Sequence, residues 1–99
     1  MVDCDRLTTD LLTFKIYLPH AGRVEVVGTF TDWEERPIAM NRGERDEAGW
    51  WFANVRVPAG EHEFSYLVDG QFWMPDYAAT GVHRNQFGHW TSDLSVAAA

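Results

Sequence analysis

The segment VPAGEHEFSYLVDG, residues 57–70, decides the fold. Every second side chain from Phe64 to Val68 is large and apolar, which indicates a β-strand with one face turned toward a core. The Pro-Ala-Gly triplet near its start is a strand-breaking signal. Asp69 and Gly70 at its end tolerate a positive φ and therefore predict a hairpin turn.

The same two-residue period extends outward from this segment in both directions. Apolar and polar side chains alternate in residues 12–18, 24–26, 51–57 and 94–96, and turn residues such as PHAG (19–22) separate the runs. No segment carries a helical stripe over three turns. Short strands at spacings of about 8–12 residues predict an all-β, antiparallel β-sandwich.

Composition and charge exclude several classes of protein. The chain has 99 residues and a net charge of −7, with Lys15 as its one lysine and Cys4 as its one cysteine. Nucleic-acid binding through the phosphate backbone needs a basic surface, and membrane-surface binding needs a polybasic patch. We therefore expect one domain, residues 1–99 with a core of about 12–96, without nucleic-acid or membrane partners. An acidic start without an apolar run predicts a cytoplasmic protein.

The aromatic content is high for so short a chain. Tryptophan is large and is rarely enclosed in full, so a small core does not easily hold five of them. Some should lie on the surface, where exposed aromatic rings indicate a ligand or a partner. The five are Trp33, Trp50, Trp51, Trp73 and Trp90.

Four stretches resemble carbohydrate-binding module family 48. They are GTFTDW (28–33), the segment 57–70, the following Trp73 and NQFG (85–88). This family includes the glycogen-binding module of the AMP-activated protein kinase β-subunit and the N-terminal modules of isoamylases and glycogen branching enzymes. The resemblance covers residues 12–96. It implies an early-set immunoglobulin-like sandwich that binds α-1,4-glucans through two tryptophans, a lysine and a few polar residues.

Of the two stacking tryptophans of the family, the first has one match in this sequence and the second has two candidates. Trp33 matches the first tryptophan. The second follows the Asp-Gly turn, where a two-residue turn pairs Leu67 with Phe72 and a three-residue turn pairs Leu67 with Trp73. The resemblance favours Trp73, and Phe72 stays open as the alternative.

The remaining family positions are partly altered in this sequence. The position of the family lysine is Ser65, and that of its C-terminal asparagine is Thr91, so two polar contacts change their hydrogen-bonding groups. Phe87 matches a protruding apolar residue. Gln71 and Asn85 complete the set of polar candidates for sugar binding.

The chemistry of these residues suits a glucan. A flat indole can cover the apolar C–H face of a pyranose ring while polar groups bind the hydroxyls at its rim. A site this small predicts a dissociation constant from about tens of micromolar to millimolar. Such a module would work with a glucan-metabolising enzyme in trans or as a homodimer, because linked weak sites gain avidity.

Two rival functions compete with glucan binding. The first is a protein-interaction or homodimerisation module that lost sugar binding, with Trp50 and Phe52 on its outer face. The second is an enzyme. A glycosidase needs two carboxyl groups about 5–9.5 Å apart in unlike environments, and the adjacent pair Glu34 and Glu35 in a polar loop predicts no such pair.

We expect no catalytic residues and no cofactor. The sequence carries no nucleophile–base spacing and no phosphate-binding loop. The spacing of His83 and His89, with Asp76 or Asp93, matches no pattern of metal ligands, so the sequence predicts no metal site.

Overall fold

The computed structural model describes residues 2–4, 11–76 and 81–96, which form strands, turns and three short 3-10 helices. The 3-10 helices are Thr29–Thr31, Trp33–Glu35 and Arg45–Glu47. The strands are β1 (Val2–Cys4), β2 (Leu11–Tyr17), β3 (Val24–Gly28), β4 (Ile38–Ala39), β5 (Asn41–Arg42), β6 (Trp50–Arg56), β7 (Gly60–Val68), β8 (Phe72–Met74), β9 (Val82–Arg84) and β10 (Trp90–Val96).

Two antiparallel sheets form the molecule. One has the order β1-β2-β6-β5, and the other has the order β4-β3-β7-β10-β9, with β8 paired to β7. The prediction of an all-β, early-set immunoglobulin-like antiparallel sandwich is confirmed. Among residues 2–4, 11–76 and 81–96, no helix is both long and apolar enough to cross a bilayer.

The core lies between the two sheets and uses the alternating side chains. Phe14 from β2 meets Phe64 from β7 edge to face, with ring centroids 5.1 Å apart, and both rings are fully buried. Tyr66 is also fully buried, and its hydroxyl donates to Asp76 Oδ2 at 3.1 Å. Burial raises the pKa of the Tyr66 phenol.

The first strand is a difference from the sequence analysis. The alternation gave no strand before Leu12, yet Val2–Cys4 forms β1 and pairs with β2 in the register Val2↔Phe14. Three residues are too short for a periodic signal, so only pairing with an existing strand defines such an element.

Strands β8 and β10 lie along the same edge of β7. Residues 60–64 of β7 pair with β10, residues 64–68 pair with β3 on the other edge, and residues 66–68 also pair with β8. The end of β8 is therefore brought against the start of β10. This arrangement assembles the outer face of the larger sheet, where the candidate site lies.

Candidate functional site

The turn after β7 has three residues. Val68 pairs with Phe72 and Leu67 pairs with Trp73, so residues 69–71 form the connection. The three-residue alternative of the sequence analysis is the one that forms. Because Trp73 shares a face with Leu67, it points to the outer side of the sheet, while Phe72 points to the opposite side.

Asp69 holds this turn to a neighbouring loop. Its Oδ1 accepts hydrogen bonds from the backbone N–H groups of Gly22, at 2.8 Å, and Arg23, at 2.9 Å. Asp69 and Gly70 both adopt left-handed backbone, with φ of 53° and 71°. Aspartate and glycine are residue types that tolerate this conformation. Both the local residue types and the hydrogen bonds to the distant loop therefore favour this turn.

Trp33 is positioned by the short loop that follows β3. Asp32 and Trp33 both have left-handed backbone, with φ of 51° and 55°. The buried hydroxyl of Thr31 accepts from the Gly28 N–H at 2.9 Å. The same hydroxyl lies 2.9 Å from the Trp33 carbonyl oxygen and 3.0 Å from that of Gly28, and it donates to one of them.

Three rings form a continuous surface that we call the aromatic row: Trp33, Trp73 and His89. The Trp33 and Trp73 rings lie 5.8 Å apart at 37°, and the His89 ring lies parallel to that of Trp73 at 4.0 Å. Both tryptophans are partly exposed. His89 covers one face of Trp73, so a ligand would reach this indole from its edge or its other face.

A cavity of about 370 Å³ adjoins Trp33. Its lining comprises Trp33, Glu63, His83, Arg84, Asn85, Gln86 and Phe87. Phe87, at the tip of the β9–β10 hairpin, is 72% exposed. Asn85 Oδ1 accepts from the N–H groups of Phe87 and His89, at 2.9 and 3.0 Å, and so shapes the hairpin tip. The structure thus brings together three of the predicted site residues, Trp33, Asn85 and Phe87.

Ser65 and Thr91 need a correction. Both side chains are fully buried and have no surface to offer a ligand. Ser65 donates to the Met74 carbonyl at 3.0 Å, and Thr91 donates to the His83 carbonyl at 3.3 Å. Alternation along the paired strands places both on the outer face of the sheet. It cannot show that neighbouring segments then cover this part of the face.

Phe72 and Gln71 lie apart from the aromatic row. Phe72 is 61% exposed but points to the opposite side of the sheet from Trp73. Gln71 is exposed within the turn, where its backbone N–H donates to the Val68 carbonyl at 3.0 Å. Neither residue lines the cavity beside Trp33, so the structure separates them from the other predicted site residues.

An ionic cluster adjoins the cavity, and two of its members, Glu63 and His83, line it. His83 contacts Glu63 through Nε2 and lies 3.3 Å from Asp93 Oδ1 through Nδ1. The sequence analysis considered His83 and Asp93 but missed Glu63 and the stacking of His89. In the sequence, Glu63 and Asp93 each occupy a strand position whose side chain points to the outer face. This shows that they are neighbours only when the order of the strands is known.

The other tryptophans have separate places. Trp51 is buried in the core. Trp50 lies on the outer face of the smaller sheet, where it packs on Tyr17 at 5.2 Å with Lys15 Nζ 4.9 Å from its ring centroid. Trp90 is 47% exposed, with the Arg84 guanidinium 5.8 Å from its ring centroid.

Comparison with known proteins agrees with this architecture. A solved structure from Salmonella typhimurium, described as a candidate alpha amylase, superposes with a TM-score of 0.65 at 15% identity and covers 92% of this chain. The chain spans 14% of the length of that protein, and the likeness concerns the fold.

A family model matches at the level of sequence. It is described as carbohydrate-binding module 48 (isoamylase N-terminal domain), and it matches residues 4–94. The match includes the turn, the aromatic row and the hairpin that lines the cavity. The chain belongs to carbohydrate-binding module family 48, the family of the isoamylase N-terminal domain.

Proposed function

We propose that this protein binds α-1,4-glucans of the glycogen, starch or maltodextrin type without catalysing a reaction on them. The observation that carries the proposal is the aromatic row, whose two tryptophans remain partly exposed beside a cavity with polar walls. Family membership supports the same class of ligand. A ligand site that combines aromatic surface with a few convergent polar groups is the usual form of a small-molecule site.

Trp33 is the main stacking platform in this proposal. Its ring borders the cavity, whereas one face of Trp73 is taken by His89. Covering roughly 80 Å² of apolar surface between an indole and a sugar ring contributes about 2 kcal/mol. Hydrogen bonds to hydroxyls add about 1 kcal/mol each, and ordering costs subtract from the sum.

The hairpin tip supplies the other side of the site. Phe87 would act as an apolar wedge, and Asn85 and Gln86 would bind sugar hydroxyls. Glu63 and His83, which also line the cavity, offer further hydrogen-bond acceptors and donors. These polar partners replace Ser65 and Thr91, which are buried.

Glu34 and Glu35 take no catalytic part in this proposal. Both side chains are exposed on the 3-10 helix that carries Trp33. Solvated carboxylates on a loop keep the surface acidic and leave the sugar unreacted. A cytoplasmic location, a single module spanning residues 1–99 and a partner enzyme in trans stay predictions that accompany the proposal.

Affinity electrophoresis in gels containing glycogen tests the proposal without assuming a site. Wild type should be retarded relative to gels without polysaccharide, and Trp33→Ala should migrate equally in both. Trp50→Ala is the matched control, because Trp50 packs on Tyr17 on the outer face of the smaller sheet, away from the aromatic row and the cavity. Unretarded wild-type protein, with no heat on titration with maltoheptaose, would refute glucan binding.

A homodimer is the second candidate. The observation that favours it is the pair Tyr17 and Trp50 on the outer face of the smaller sheet, where Tyr17 is 53% exposed. Sedimentation of wild type and Trp50→Ala distinguishes the two functions. If this face forms a dimer, Trp50→Ala should weaken dimerisation and leave glucan binding unchanged.

A further inference from the structure

Three strands place Glu63, His83 and Asp93 on one face of the larger sheet. Glu63 on β7 is directly opposite Asp93 on β10. His83 on β9 is opposite Thr91, two residues before Asp93 on the same strand, so all three side chains share the outer face. These residues are far apart in the chain and are neighbours only because β10 lies between β7 and β9.

The three side chains converge on a small volume. One ligand atom from each, an imidazole nitrogen and two carboxylate oxygens, can be chosen so that all three lie within 4.8 Å of one another. Their side chains are 35% (Glu63), 42% (His83) and 47% (Asp93) exposed. The cluster is therefore held by the sheet and is still open to an ion from solvent.

The cluster has more negative than positive charge. Among the described residues, His83 is the ionic partner of both carboxylates, and no lysine or arginine forms an ion pair with either of them. Glu61, two residues before Glu63 on the same face, adds a third carboxylate nearby and accepts from Ser95 Oγ at 2.5 Å. A divalent cation can balance two of these carboxylates.

We propose that Glu63, His83 and Asp93 bind a divalent transition-metal ion of the zinc class. One nitrogen and two oxygens are a donor set that Zn²⁺ accepts, at about 2.0–2.2 Å, and a three-ligand site leaves a coordination position for water. The two carboxylates contact different nitrogens of His83, so one carboxylate would have to rotate toward the nitrogen that holds the ion. A β-carbon at residue 81 would push against Asp93 Oδ2, so Gly81 leaves room for this carboxylate in its present position.

The inference does not depend on glucan binding, although the two sites adjoin. Glu63 and His83 line the cavity beside Trp33, so an ion bound to them would add positive charge to the cavity wall. Binding of the ion is tested in the absence of sugar, and failure of either proposal leaves the other intact.

Calorimetric titration of the full chain with ZnCl₂, after dialysis against EDTA and then metal-free buffer, tests the site. The Cys4→Ser background removes the one thiol, which is a competing zinc ligand. One ion should bind per chain. His83→Ala should abolish binding, and Asp93→Asn and Glu63→Gln should each weaken it at least about 10-fold, since even outer-shell partners contribute that much.

Co²⁺ gives an independent readout through its visible absorption, which should appear with wild type and be absent with His83→Ala. His20→Ala is the matched control, because His20 is exposed in the turn after β2 and lies outside the cluster. Far-ultraviolet circular dichroism checks the fold of each variant. If His83→Ala does not fold, Asp93→Asn replaces it as the ligand variant in both titrations. Equal zinc affinity in wild type and folded ligand variants, or no zinc binding by wild type, would overturn the proposal.

Discussion

The imidazole of His89 lies flat against the indole of Trp73, with ring centroids 4.0 Å apart and planes 15° apart. Trp73 is the middle residue of β8 and His89 directly precedes β10, and these two strands share one edge of β7. Trp33 then leans on the same indole at 37°. Trp73 is thus the central ring of the row, and its support by His89 holds the platform in place.

Replacing His89 by alanine should destabilise the domain modestly. Loss of the stacked pair should lower the free energy of unfolding by about 0.5–1.5 kcal/mol, measured by urea denaturation. His89→Phe keeps a flat ring and should restore most of the loss. If His89→Ala and wild type unfold at the same urea concentration, the stack does not support Trp73.

Thr31 should control sugar binding through Trp33 without touching the sugar. Thr31→Val keeps the shape but leaves the Gly28 N–H without its acceptor, which should cost about 1–3 kcal/mol of stability. Maltoheptaose affinity, measured by calorimetry on folded protein, should fall several-fold. Thr31→Ser retains the hydroxyl and should behave like wild type, and unchanged affinity in Thr31→Val would exclude this positioning role.

The turn at Asp69 should depend on its carboxylate oxygen. Asp69→Ala removes the acceptor for two backbone N–H groups and should lower the free energy of unfolding by about 1.5–3 kcal/mol, as measured with urea. Asp69→Asn keeps an oxygen acceptor and tolerates the left-handed backbone, so it should lose less. Equal losses in the two variants would show that the side-chain acceptor is not what holds the turn.

Tyr66 should make stability fall at alkaline pH. Burial raises its pKa in the folded state above the value near 10 of an unfolded chain. Its contribution is fully present below about pH 10 and is lost as the pH rises toward the folded pKa. Over that interval the free energy of unfolding should fall about 1.4 kcal/mol per pH unit.

Tyr66→Phe is the control for this pH dependence, because it has no titrating hydroxyl at this position. The difference in unfolding free energy between wild type and Tyr66→Phe, followed with urea at pH 9–11, isolates the tyrosine from the other groups that titrate there. Parallel pH profiles for the two proteins would contradict a raised pKa.

Local pattern predicted the core well, and the reason is geometric. A strand turns alternate side chains to opposite faces, so the positions of Phe64 and Tyr66 in the sequence already assign them to the interior. The same rule places Ser65 and Thr91 on the outer face, where the family resemblance had suggested that they bind sugar, yet both are fully buried. Whether other segments cover an outward-facing side chain depends on how the whole chain packs, and the sequence of one strand does not show it.

The sequence by itself determined the β-sandwich, because periodicity and turn chemistry act over a few residues. Its motifs were also enough to show the resemblance to the family whose model the chain matches. Only the tertiary structure decided the three-residue turn that selects Trp73, since the acceptor of Asp69 meets N–H groups of a loop more than forty residues away. It also decided the pairing of His89 with Trp73 and the cluster of Glu63, His83 and Asp93. Both depend on which strands become neighbours, and that order is set by the packing of the whole core.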